Sequence, residues 1–434
     1  MDDGTKAQEA PRGAAREGPA GLLMTSASIA MRSSPGQGDA FRLGHLAGKL
    51  SLDPSARYGG SQSWEPEGIR ADRGSRTSTA ESNASHVSPS STTSSLDAAL
   101  EELEELEASI EAVSDEVYKW RPDRFQMQRT LQMAARNQGA VNLMKCLEDG
   151  QFVAVKTMPC SWTTNGHRQH RRAHPRDTEN PWVDFGIVRY LAKKSVPWVC
   201  EPMGIFMDSE WTYCVSSLAT EGDFFNFVSI GPEPGPAREK ALQPFMVQVF
   251  SAVRWLHDRF IAHCDISMEN ILVSRERGQY QVKLIDFSMA VMGQKVTCGH
   301  RGKPSYQAPE MALSPFYDPF ALDCFALGVV IFSSTARVYP WLSTVQGSCK
   351  CFDYVVQHGH RKFWRTRKIK KTVPVQTIDT VLSEELKQII EGMLALNACD
   401  RLSIEEVFNF GWFHGDGAVS LTAFGSDQKA SFQP

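Results

Sequence analysis

Lys156 closes the run Val153-Ala154-Val155-Lys156 and is followed far downstream by His263-Cys264-Asp265 with Asn270, then Asp286-Phe287-Ser288, then Ala308-Pro309-Glu310, then Asp323 with Gly328. Any one of these blocks recurs by chance in a chain of this length. In this order they constrain the fold heavily. A cation, two carboxylates and an amide so far apart can serve one ligand only if the chain returns each to a common site. That set suits phosphate groups held with a hard divalent cation, which takes oxygen ligands.

Hydrophobic residues make up 42% of the 434, and they concentrate after about residue 125. One large domain with an appendage is the expectation. A net charge of −4 gives no general pull toward nucleic acid or an anionic membrane, so nucleic acid is not an expected partner. The start holds no apolar core beside a basic stretch, and no apolar run reaches the roughly 18 residues of a membrane span. A protein that is neither secreted nor integral to a membrane is expected, in the cytoplasm or nucleus. The ten cysteines are scattered, Cys349 and Cys351 being the one close pair, which reads as reduced thiols. Metal binding by that pair is the remote alternative.

Residues 1–95 are rich in Ser, Thr, Gly, Ala, Arg and Asp and short of clustered aliphatics, which predicts a disordered tail and a plausible phosphorylation target. From 96 to 117, Leu96, Leu100, Leu103, Leu106, Ile110, Val113 and Val117 recur at helical steps, while the polar face is almost wholly acidic. This amphipathic helix, within 96–120, could pack on the following domain, meet a helix of another protein, or self-associate. Like charges weaken the last option. Residues 125–415 carry dense folding signals: β-rich runs at 151–158, 202–207 and 211–216, then helical patterns at 242–257 and 384–396. The order predicts an α+β, bilobal architecture with a β-rich lobe over about 125–218 and a helical lobe over about 219–415. Residues 416–434 read as a flexible tail.

On these blocks the segment 125–415 resembles the eukaryotic protein kinase catalytic domain of the serine/threonine type, in a divergent form. The resemblance implies ATP and Mg2+ as cofactors and protein substrates as acceptors. It implies that Lys156 meets the α- and β-phosphates, that Asp286 and Asn270 hold magnesium, and that Asp265 orients the acceptor hydroxyl and takes its proton. It also implies one long helix in the small lobe and an ion pair between Glu310 and Arg401.

The departures are specific. In the phosphate-covering loop the family glycines fall on Ala134, Arg136 and Gly139, with the valine at Val141, so Gly139 and Val141 alone match. Arg136 could reach the phosphates or point to solvent. The helix partner of Lys156 is normally a glutamate; Asp184 matches best, one methylene short, and Glu179 is the alternative if the helix starts elsewhere. The lysine expected two residues after the catalytic aspartate is Ser267, and the threonine expected after Gly302 is Lys303. The exchange reads as reciprocal, with Lys303 supplying a cation near the γ-phosphate and Ser267 bonding to it, or as two independent drifts in a degraded site. Cys264 replaces a phosphate-docking arginine, Ser288 replaces a glycine, and Thr297 is a possible phosphosite beside Lys295 and Arg301.

Two basic clusters, 361–371 and 167–176, complete the pattern. The first is expected to be a solvated insertion, or else a site for acidic groups, including the chain's own acidic helix. Glu269 and Glu221-Gly222-Asp223 favour basic residues near the acceptor. The competing function is a pseudokinase that binds ATP or partners without phosphotransfer.

Overall fold

The computed structural model describes residues 90–134, 138–163, 166–293, 296–369 and 374–414. The expectations for residues 1–89, Arg136, Lys295, Lys370, Lys371 and 416–434 lie outside these.

The small lobe is a six-stranded sheet in the order β1-β5-β6-β4-β3-β2, with β1 Val117–Lys119, β2 Phe125–Ala134, β3 Gly139–Cys146, β4 Phe152–Pro159, β5 Pro202–Met207 and β6 Trp211–Ser217. Central β4 lies between β3 and β6. Val153 and Val155 point into the lobe core with Met144, Cys146, Phe206 and Val215, so period-2 alternation turns Ala154 and Lys156 to the other face. That face is the cleft. Trp120 stacks on Tyr213 at 3.9 Å between ring centroids and closes the far side of the sheet.

The residues expected to form one helix over 96–117 form three elements. Helix α1, Ser90–Ala112, ends in a short 3₁₀ turn, Val113–Glu116, and Val117 opens β1. Ser114 Oγ donates to Glu111 O, a local bond that competes with helix continuation. Val117, Tyr118 and Lys119 then pair in parallel with Ile205, Phe206 and Met207, so the sheet begins before the expected boundary at 125.

Helix α2, Pro181–Lys193, lies beside the sheet, capped by the Asn180 side chain, which accepts from Trp182 N at 3.0 Å. Pro181 at the first turn has no N–H to orphan. α1 docks on α2: Leu106, Ile110 and Val113 are buried, each worth roughly 2 kcal/mol. Its acidic side chains pair with Arg168 (Glu111, 3.0 Å), Lys194 (Glu105, 2.6 Å) and Arg259 (Glu102, 3.3 Å), and Glu116 of the 3₁₀ turn pairs with Arg189. These exposed pairs set register more than they add stability. They also correct the idea that the helix docks on cluster 361–371. There Phe363 and Trp364 are buried in the helical lobe, and Arg361 pairs with Glu391 at 3.6 Å.

The large lobe is helical, built on α3 Pro236–His257, α4 Pro319–Ala336 and α5 Glu384–Met393. The fold is thus mixed α+β with a β-sheet lobe and a helical lobe. α3 starts six residues before the expected 242, with Pro236 at its first turn. α4 is long and apolar enough to cross a membrane by composition, yet 89% of it is buried inside the lobe. The Asp318 side chain caps it, accepting from Phe320 N and Ala321 N. All ten cysteines are free thiols.

Candidate active site

Between the lobes lies a cavity of about 820 Å³. Val141 and Ala154 from the sheet, Leu272 and Leu284 from the β9–β10 hairpin, and the chain Ser217-Leu218-Ala219 after β6 line one end. Here β7 is Gly222–Asp223, β8 Ile261–Ala262, β9 Ile271–Glu276, β10 Gln279–Leu284 and β11 Val291–Met292. Apolar faces above and below with backbone along one edge suit a flat heteroaromatic base. The other end is charged, with Lys156, Asp184, Asn270 and Asp286.

Lys156 Nζ contacts Asp184 Oδ2 at 3.1 Å and Asp286 Oδ1 at 3.4 Å. Burial opposes the ammonium, but the two carboxylates outweigh it and raise its pKa, so it stays a cation. Asp184 is therefore the partner of Lys156, and Glu179 lies before the helix. The second oxygen of Asp184, Oδ1, accepts from Phe287 N at 2.9 Å, which ties α2 to the residue after Asp286. Asn180 N donates to Ser288 O at 2.8 Å and adds a second tie.

Asp286 sits in the left-handed region at φ 66°, a conformation costly for most residues but tolerated by Asp. Ser288 Oγ donates to its Oδ1 at 2.7 Å, so the serine supplies a bond that a glycine lacks. Burial pushes this carboxyl up, and Lys156 and Ser288 pull it further down, to about 2. Both contacts fall on Oδ1 rather than Oδ2.

The catalytic segment is held from below. Asp323, fully buried on α4, accepts from His263 N at 2.7 Å and Cys264 N at 2.8 Å, which fixes Cys264 at φ 62°. Asn270 Nδ2 donates to Asp265 O and Oδ2, both at 2.8 Å, so its amide oxygen is the atom left to ligate. Asp265 Oδ1 is buried with no hydrogen-bond partner, an orphaned acceptor. Gly302, at φ +74°, packs its backbone against this segment: a Cβ there would stand 3.2 Å from Cys264 O and 3.5 Å from that oxygen. Burial raises the Asp265 pKa; Lys303 opposes that and the like charge of Asp286 adds to it.

Lys303 Nζ donates to Ser267 Oγ at 2.8 Å and stands 3.5 Å from Asp265 Oδ2. The two exchanged residues thus meet beside the Asp265 carboxylate. The structure also brings Val141 to the cavity wall opposite Lys156 in the β3–β4 register. Gly139 pairs with Ala134 at the hairpin and is not among the lining residues.

Thr297 is buried, and its backbone exchanges both hydrogen bonds with Tyr317, at 2.9 and 3.0 Å. This corrects its reading as a phosphosite. Arg301 turns inward instead, donating to Met289 O at 2.6 Å and Thr178 O at 3.1 Å. It couples the segment 296–310 to the start of α2 without a phosphate. Further along, Arg401 meets Glu310 with two bonds, at 2.6 and 2.8 Å.

Sequence comparison decides the family. The model of the protein kinase domain matches residues 137–413, well over half of the chain. The chain belongs to the protein kinase family. Similar proteins include an Aurora kinase of Encephalitozoon cuniculi, 25% identical over 67% of this chain and 94% of that protein. A calcium/calmodulin-dependent protein kinase, cmkA, of Emericella nidulans is 26% identical over 52% of this chain and 51% of its own length. The probable serine/threonine-protein kinase MARK-A of Dictyostelium discoideum is 24% identical over 50% of this chain and 18% of its own length. The chain thus spans about half or less of the length of several kinases it matches.

A protein kinase domain implies ATP, a divalent metal and protein substrates. The residues present fit a magnesium ion. Among the described residues no cluster of three or more His, Cys, Asp or Glu forms a complete cage, and Mg2+ is typically held by one or two protein oxygens plus phosphates and water. Asp286 and the Asn270 amide line one cavity with Lys156, and Asn270 ties Asp265 to that wall through Oδ2.

Sequence reading missed Leu272, Leu284 and the 217–219 edge, because apolar walls and backbone carry no residue-type signature. It also missed the inward turn of Arg301.

Proposed function

We propose that this kinase is catalytically active and transfers the γ-phosphoryl of ATP to a serine or threonine hydroxyl of a protein. The observation that carries the reading is the joined set Lys156–Asp184–Phe287 N with Asp286 and Asn270 along one cavity, where Asn270 and Lys303 in turn hold Asp265. A domain that merely binds has no physical need to hold all of these charges together. Magnesium bound at Asp286 and Asn270 would neutralise phosphate charge and favour the in-line displacement.

The roles of this chain's own residues follow from their positions. Lys156 holds the α- and β-phosphates, and Asp184 holds Lys156. Asp265 accepts the hydroxyl proton, while Asn270 fixes its orientation through Oδ2. Lys303 places a positive charge beside the transferring group and is steadied by Ser267. Glu221, Asp223 and Glu269 at the cavity mouth favour basic residues near the acceptor. The free thiols support a reducing compartment, the cytoplasm or nucleus.

The test of acceptor class is the identity of the phosphorylated residue. With labelled ATP, magnesium and a basic protein, acid hydrolysis is expected to release phosphoserine or phosphothreonine. Phosphotyrosine alone would overturn the acceptor assignment. The missing glycines of the phosphate loop favour the binding-only reading, which predicts no labelled protein.

A further inference from the structure

We infer that the contact of α1 with α2 sets how deeply α2 sits, and so makes up for the short carboxylate at position 184. The inference rests on the phosphotransfer reading for its consequence and on packing for its substance. Asp184 faces the cleft and must reach both Lys156 Nζ and Phe287 N, at 3.1 and 2.9 Å. An aspartate does this one methylene short of a glutamate, so the helix axis must come closer to β4.

Two residues on, about 200° around the helix, Gly186 presents bare backbone to α1. A Cβ there would stand 2.5 Å from both Ile110 Cα and Ile110 Cγ1, and Ser109 Oγ donates to Gly186 O at 3.2 Å. The two helices meet at backbone distance on the face of α2 opposite Asp184. Leu106, Ile110 and Val113 are buried in that contact, between 1% and 2% exposed.

α1 is held at its C-terminal end and at its middle. Its C-terminal end runs through the 3₁₀ turn into β1, and Trp120 N donates to Met207 O at 2.8 Å. At its middle, Glu102 pairs with Arg259 of the helical lobe at 3.3 Å, and Leu103 lies over Gly293. α1 therefore spans from the sheet to the helical lobe across the back of α2. Residues 90–134, which carry this contact, precede the residues matched by the family model, 137–413. Gly186, Ile110 and Ser109 are positioning residues. They act through Asp184 and touch none of the reacting groups.

Gly186→Ala tests this cleanly, because alanine favours the α2 helix itself while its methyl breaks the close contact with α1 and lets α2 shift back from β4. Two readouts are needed: turnover at saturating ATP, and hydrogen exchange of the Phe287 amide, which reports the Asp184 bond whether or not the enzyme turns over. Gly186→Ala is expected to lower turnover about tenfold or more, with ATP KM changing less, and to speed Phe287 exchange by a similar factor. Adding Asp184→Glu, whose longer side chain reaches from the displaced helix, is expected to restore both to within about threefold of wild type. Wild-type turnover and exchange in Gly186→Ala would overturn the inference, and so would a double variant no better than the single. If no chain transfers phosphate, wild type included, the phosphotransfer reading fails by itself and the exchange measurement still decides the role of the contact.

Discussion

Lys303→Ala is expected to lower turnover by about a hundredfold or more while ATP affinity stays nearly constant. The ammonium lies 3.5 Å from Asp265 Oδ2 and 2.8 Å from Ser267 Oγ, beside the place where charge builds during transfer rather than along the adenine end of the cavity. A cation there interacts most strongly with the transition state, so its loss appears in turnover. The same substitution shifts the pH dependence. Burial and Asp286 raise the Asp265 pKa, and Lys303 holds it down. Removing Lys303 lets it climb further. In the proposed mechanism Asp265 works deprotonated, so activity is lost as pH falls through that pKa, and the acid limb moves to higher pH in the variant. Transposing the pair, Ser267→Lys with Lys303→Thr, is expected to recover most of the turnover, because the cation returns from the opposite side of the same carboxylate. Unchanged turnover and an unchanged acid limb in Lys303→Ala would remove Lys303 from the mechanism.

Arg401→Ala is expected to destabilise the protein by about 3–5 kcal/mol, read from urea denaturation. Arg401 makes two bonds to Glu310, donates to Ala321 O at 2.8 Å and Ala395 O at 3.1 Å, and its guanidinium lies 5.0 Å from the Phe325 ring. Truncation leaves Glu310 as an uncompensated charge and strands two carbonyls. Arg401→Lys restores little, since a single ammonium cannot reproduce the planar fork. A loss below about 1 kcal/mol would show that this pair does not anchor the helical lobe.

The charged half of the site was legible because its residues carry type and spacing together. Lys156 after two core valines, Asp265 five residues before Asn270, and the exchange at 267 and 303 all name chemistry that few other arrangements use. Asp184 was legible too, although the close approach of Gly186 to Ile110 on the opposite face of the same helix shows only once α1 is placed. The amphipathic pattern of α1 was plain, but an acidic face agrees with any basic partner. The choice of Arg168, Arg189, Lys194 and Arg259 over cluster 361–371 was set by tertiary packing. The helix was read through to Val117 because valine fits both a helix stripe and a strand; parallel pairing with Ile205 decides for the strand. Thr297 looked like a phosphosite by composition, and its burial against Tyr317 is a long-range fact. The base-binding end stayed hidden because apolar residues such as Leu272 look the same in any core.

Phosphate transfer from labelled ATP and magnesium to a basic protein, by the wild type beside Asp286→Asn, tests the central claim. The substitution keeps shape and removes the charge proposed to hold the metal, in a carboxyl pulled to about 2 and so fully ionised at neutral pH. Transfer by the wild type that falls by about a thousandfold or more in Asp286→Asn is the expected result. A folded, ATP-binding wild type that transfers nothing, or a variant as active as the wild type, would contradict it.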